Sequence, residues 1–248
     1  MRKLILAMGG AAVLAAPLAH SDIVGLGANV SYWDSDLSGK AASNGDVVDV
    51  ENDLDLSSDS NVNLTAYVEH PVPLLPNVRL NYTSIEQSGR GELGTDFDNI
   101  VVNLGGATEV DSDLDLDQLD LTLYYEVLDN WVNLDLGLTV RNLDGELRVQ
   151  EVGGNQAVSE SEIDAVVPMG YLAARFDLPF TGVSVGGEAN LISFDGDSVY
   201  DYNAYGQYEI SMLQLRAGYR EISIDYEDGD DELDVDLGGP FVSAGLRF

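Results

Sequence analysis

Carboxylates are the side chains of this chain best able to do chemistry, and two stretches concentrate them: "DVVDVENDLDLSSD" from Asp46 to Asp59 and "DYEDGDDELDVD" from Asp225 to Asp236. Oxygen-only ligands suit hard cations such as calcium and magnesium. Asp225, Glu227, Asp228, Asp230, Asp231 and Glu232 are the candidate cation-attracting acids. Neither stretch keeps the EF-hand spacing, because Tyr226 and Ile224 stand where ligands would be needed around Gly229. The favoured expectation is a solvated acidic surface screened by salt, with loosely bound Ca2+ or Mg2+ as the alternative and no other cofactor.

Acid–base and nucleophilic catalysis are poorly served. Beyond residue 21 the chain holds one histidine, His70, beside Pro71, and it shows no GxSxG, HExxH, phosphate loop or Cys/His cluster. Carboxylate pairs are too many to mark a glycosidase site. An enzyme is not expected.

Charge pairing is the remaining chemistry, and the elements that would position it are strands. In "DSDLDLDQLDLTLYY" (Asp111 to Tyr125) an acid or polar group alternates with leucine, which sends the leucines of a strand to one face. The same period-two pattern recurs in "VGLGANVSYW", "NVNLTAYVEH", "WVNLDLGLTVR" and the final "GPFVSAGLRF". About ten strands can be traced, with eight or twelve as alternatives. Strand four changes phase near Gln118, where Leu114 and Leu116 are even and Leu119 onward odd, so a β-bulge is expected there.

Two surroundings give such alternation: a soluble barrel with a dry core and a membrane barrel with a polar interior. The chain's start helps to choose. Arg2 and Lys3 precede an apolar run from Leu4 to Ala16 and small residues at Ala19 and Ser21, which reads as a secretory signal peptide over residues 1–21. The run is too short for a spanning helix, which needs about 20 apolar residues. Residues 22–248 then form one domain without cysteine, and removing Arg2 and Lys3 takes the net charge from −33 to −35. Such a balance excludes nucleic acid as a partner, for want of a basic footprint.

The expected fold is all-β: a transmembrane antiparallel up-and-down β-barrel with short periplasmic turns and both termini periplasmic. Long extracellular connections are expected at 34–59, 87–112 and 148–162. Aromatic girdles supply a second indication, with Tyr32, Trp33, Phe194, Tyr200, Tyr202 and Tyr226 at outer strand ends. Tyr125, Trp131, Phe176, Phe180, Tyr208 and Phe248 fall at inner ends. Val242, Ala244, Leu246 and Phe248 share one face of the last strand, and a terminal phenylalanine there resembles the insertion signal of bacterial outer-membrane barrels. The stretches "DLGGPFVSAGLRF", with Gly238 and Gly239, and "DLPFTGVSVGGEANLISFDGDSV" resemble a group of small bacterial outer-membrane barrel proteins marked by a Gly-Gly near the C-terminus. That resemblance implies an outer-membrane location, with the barrel-assembly machinery, membrane lipid and lipopolysaccharide as partners, and it implies no established activity.

By strand parity Arg79, Arg141, Arg216, Arg220 and Arg247 point inward, as do Glu69, Asp120, Glu126, Asp135, Glu188, Asp201 and Glu209. An interior of this kind is expected to form an ion-paired network that plugs a narrow lumen. The functional expectation is therefore a structural or surface-interaction barrel, with a narrow cation-favouring pore or small-solute conduit as the alternative.

Overall fold

The computed structural model describes residues 24–43, 46–56, 58–72, 74–98, 100–102, 106–154, 157–229 and 231–248. The expected signal segment lies outside them. Eleven strands are found among the described residues: β1 (Gly25–Ser43), β2 (Asp46–Asp49), β3 (Ser58–Glu69), β4 (Asn77–Leu93), β5 (Thr108–Asp129), β6 (Val132–Glu151), β7 (Val158–Leu178), β8 (Val183–Phe194), β9 (Asp197–Ile210), β10 (Leu213–Asp228) and β11 (Asp231–Arg247). Ten of them form an antiparallel ring in sequence order, closed where β11 returns to β1 from Gly27↔Arg247 to Ala42↔Glu232. The short β2 stands outside the ring and pairs only with the far end of β1.

Closure fixes which way each side chain faces. Leu26, Val30, Leu64, Leu80, Leu121, Leu138, Leu172, Val185, Leu215, Val242 and Leu246 are exposed on the outside, while Arg141, Asp120, Asp201, Thr83 and Gln207 are buried within. An oily exterior around a charged interior is the arrangement of a barrel in hydrocarbon, where every backbone group must find its partner in the ladder. At the end that carries the termini, adjacent strands join through short connections at residues 70–76, 130–131, 179–182 and 211–212. Exposed Tyr125, Trp131, Phe176, Phe180, Tyr208 and Phe248 gather there.

At the opposite end the strands do not stop where the oily belt stops. Much of the sequence expected as long connections is strand, because β1, β4, β5, β6, β7, β10 and β11 all run on. In this region the faces exchange character. Outward positions become Asp113, Asp115, Asp144, Glu146, Glu160 and Glu162, while inward ones become Val110, Leu114, Leu116, Leu147 and Val149. The far parts of β4–β7 form one sheet and those of β10, β11 and β1, with β2, form another. Ile85, Leu93, Val110 and Val149 from the first share a core with Leu37, Ile222 and Leu237 from the second. This cap has its own dry interior.

The cap accounts for the phase change at Gln118. No bulge occurs there: β5 keeps an unbroken register with β4 from Thr108 to Tyr124 and with β6 from Val110 to Glu126. The irregularity lies instead between Glu126 and Leu128. Leu114 and Leu116 face inward and Leu119, Leu121 and Leu123 outward on one continuous strand, because water lies outside the first part of the strand and lipid outside the second.

Candidate functional site

The interior of the barrel gathers most of the residues singled out by parity. Midway along it, Arg141 on β6 holds Asp120 on the neighbouring β5 through two bonds, Nε to Oδ1 at 2.8 Å and Nη2 to Oδ2 at 2.9 Å. The same guanidinium reaches across the lumen to Asp201 on β9. Arg220 on β10 holds Asp201 from the other side, at 3.0 and 2.8 Å, and donates to Thr83 on β4 at 3.3 Å. A continuous bridge of charge-assisted bonds therefore crosses the barrel from wall to wall. Arg141 is 1% exposed.

A second layer lies nearer the termini. Arg79 and Arg216 clasp Glu188 between them, and Arg79 also donates to the Tyr171 hydroxyl at 3.0 Å. Arg216 stacks its guanidinium 4.5 Å from the Tyr205 ring centre. Below this layer Arg247 lies 3.6 Å from Glu69, which also accepts from Tyr124, while Glu126 accepts from Asn77 at 3.1 Å. Asp135 faces Glu126 directly across the β5–β6 ladder. Two small hollows, of about 70 and 60 Å³, lie among these groups. Each has room for a few waters.

Towards the cap a second barrier follows the first. Trp33, expected in the outer girdle, is instead 1% exposed inside the barrel, with its indole N–H donating to the Gly239 carbonyl at 3.2 Å. The Arg220 guanidinium sits 4.8 Å from its ring. Parity was the available signal, since Trp33 shares its face with Ser31 and Ser35 while Tyr32 looks outward. Tyr226 also leaves the girdle, because it pairs with Leu233 near the tip of the β10–β11 hairpin. Above Trp33, the segment after β2 turns into the mouth and buries Val50, Leu54 and Leu56, joined by Phe97 and Ile100 from the β4–β5 connection.

Two details hold that segment in place. Its backbone lies against Gly89 and Gly91 of β4, where an added Cβ would collide with the carbonyl oxygens of Asp55 and Asp53. Asp49 anchors the turn by accepting from the amides of Glu51 and Asn52 at 3.1 and 2.9 Å. The Asn52 amide is the main reason the Asp49 carboxyl is held below the usual carboxylate range.

The described acids at the β10–β11 tip stand in cross-strand pairs. Glu227 faces Glu232 across the hairpin and Asp225 faces Asp234, while Asp230 and the side chains of Asp228 and Asp231 lie outside the description. Among the described residues no group of three or more His, Asp or Glu side chains is arranged to hold a metal ion. His70 sits at the terminal end, with its ring Nε2 3.1 Å from the Pro76 carbonyl. Val242, Ala244 and Leu246 share the outer face of β11, and Phe248, just past its end, exchanges two backbone bonds with Leu26 at the seam.

Fold and interior together define a membrane-spanning ten-stranded β-barrel whose lumen is crossed by ion pairs and whose far mouth is stoppered by an apolar cap. No protein-family profile matches the chain, and no curated protein matches it. Solved structures do resemble it. The translocator domain of the autotransporter NalP from Neisseria meningitidis is 13% identical over 90% of this chain and 89% of its own, with a TM-score of 0.48. A major outer membrane protein from Thermus thermophilus is 13% identical over 91% and 100%, with a TM-score of 0.38. Ail, the attachment invasion locus protein of Yersinia pestis, solved with the heparin analogue sucrose octasulfate, is 10% identical over 91% and 99%, with a TM-score of 0.37. The architecture rests on the chain's own strand pairing.

Proposed function

We propose that the protein is a non-conducting barrel of the bacterial outer membrane, of structural or surface-interaction type, with the termini in the periplasm and the acidic cap outside. The observation that carries this reading is the pair of barriers in series: the Arg141–Asp201–Arg220 bridge across the lumen and the dry core of Leu54, Leu56, Val48 and Trp33 above it. An ion would have to break a buried charge network and then cross hydrocarbon-like packing. The belt supports the location. On β5 it runs from Leu119 through Leu121, Leu123 and Tyr125 to Leu128, ten residues, which is the length a tilted membrane-spanning strand needs.

The reading is of a protein that is not an enzyme, and it is supported by the enclosure of His70, whose Nε2 lies 3.1 Å from the Pro76 carbonyl and whose Nδ1 is buried. It includes kinship with the barrels marked by a C-terminal Gly-Gly, supported by the tight seating of Gly239, where a Cβ would collide with the Asp34 carbonyl. Lipopolysaccharide, bridged to the acidic cap by loosely held Ca2+ or Mg2+, and the barrel-assembly machinery are its proposed partners. Phe248, exposed at the end of β11, supports the latter. The test is purified barrel in a planar bilayer. Silence across a range of voltages is expected, and a steady cation-selective current would overturn the reading in favour of a conduit.

A further inference from the structure

One edge of the cap is left open. β7 pairs with β6 from Val158 to Phe176, but its ladder with β8 begins only at Gly170. From Val158 to Met169 the second side of β7 therefore has no strand beside it among the described residues. In an antiparallel pair every other residue turns its N–H and C=O away from its partner, so this edge offers a row of unused backbone groups. Pro168, without an N–H, marks its lower limit just before the β8 ladder resumes.

The side chains along the edge state what could be added to it. Glu160, Glu162 and Asp164 are exposed on the outer face, whereas Ile163, Ala165 and Val167 are half-buried on the inner one. The outer face continues into a hollow of about 900 Å³ lined by Asp113, Asp115, Asp144 and Glu146 together with Glu162 and Asp164. Arg148 is the cation in that lining, and it already lies 3.8 Å from Glu160. We propose that this edge of β7 takes an extended segment of a partner protein as an added strand, with apolar residues on one face and lysine or arginine on the other. The proposal rests on the surface-interaction reading and names the partner's chemistry. A second copy of this chain is a poor occupant, because edge-to-edge pairing would set Glu160, Glu162 and Asp164 against their own counterparts.

The test uses the full barrel in micelles and a ten-residue peptide of alternating lysine and valine. Saturable binding is expected, with hydrogen exchange at alternate amides between residues 158 and 167 slowed at least tenfold. A peptide of the same charge, N-methylated at every second residue, should lose at least tenfold in affinity, as should the E160Q/E162Q/D164N variant with the original peptide. Equal binding of the methylated peptide, or unchanged exchange along β7, would reduce the effect to bulk attraction and overturn the proposal. The two readings fail separately. A barrel that conducts yet protects this edge sinks the sealed lumen alone, and a silent barrel with an unprotected edge sinks the added strand alone.

Discussion

Arg141 shows how much one buried side chain carries. It pairs with both Asp120 and Asp201 and is almost wholly buried. Arg141→Met leaves both carboxylates short of a partner in a low-dielectric lumen, which costs about 3–5 kcal/mol when one member of a buried pair is removed. Urea titration of the folded barrel should register a loss of unfolding free energy of that size, read as a lower midpoint. The exposed pair Arg90–Asp111 gives the control: its partners lie 2.6 Å apart but in water, and Arg90→Met should leave the midpoint unmoved. The inward positions of Arg79, Arg141, Arg216, Arg220 and Arg247 were legible from parity alone. Their pairing was not, because the Arg141–Asp201 and Arg79–Glu188 contacts join strands far apart in sequence, and alternation says only which face a residue takes.

The strands were legible where lipid surrounds them and misleading where water does. Leu119 to Tyr125 declares its lipid face plainly, yet the same rule applied to Leu114 and Leu116 suggests a bulge, because it assumes one environment for the whole strand. The cap core was hidden for a related reason: Leu54, Leu56, Phe97 and Ile100 lie in stretches dense with acids, and no local period reveals that they turn inward. Gly91 on β4 tests how that inward turn is held. With Gly91→Val a side chain must enter where the Asp53 carbonyl now lies, and overpacking of this kind costs about 1–3 kcal/mol. The expected result is protease cutting between residues 50 and 56, while the barrel keeps its heat-dependent shift in gel mobility. Resistance equal to wild type would show that the segment does not rest on this notch.

For the molecule as a whole, the two tryptophans report on opposite surroundings. Trp131 is 59% exposed beside Phe176 at the terminal end, and Trp33 is enclosed by Arg220 and Gly239. In bilayers of brominated lipid, emission from Trp131 should be quenched and that from Trp33 spared, as single-tryptophan variants would show. Equal quenching would place Trp33 on the outside and undo the seal. The division of the cap into two sheets also bears on how the molecule is made. One sheet draws on the middle of the chain, and the other exists only once β11 has met β1. The leucines and valines of the cap thus have no full shelter until the two ends of the chain have joined. Closure of the ring and drying of the cap are therefore a single event.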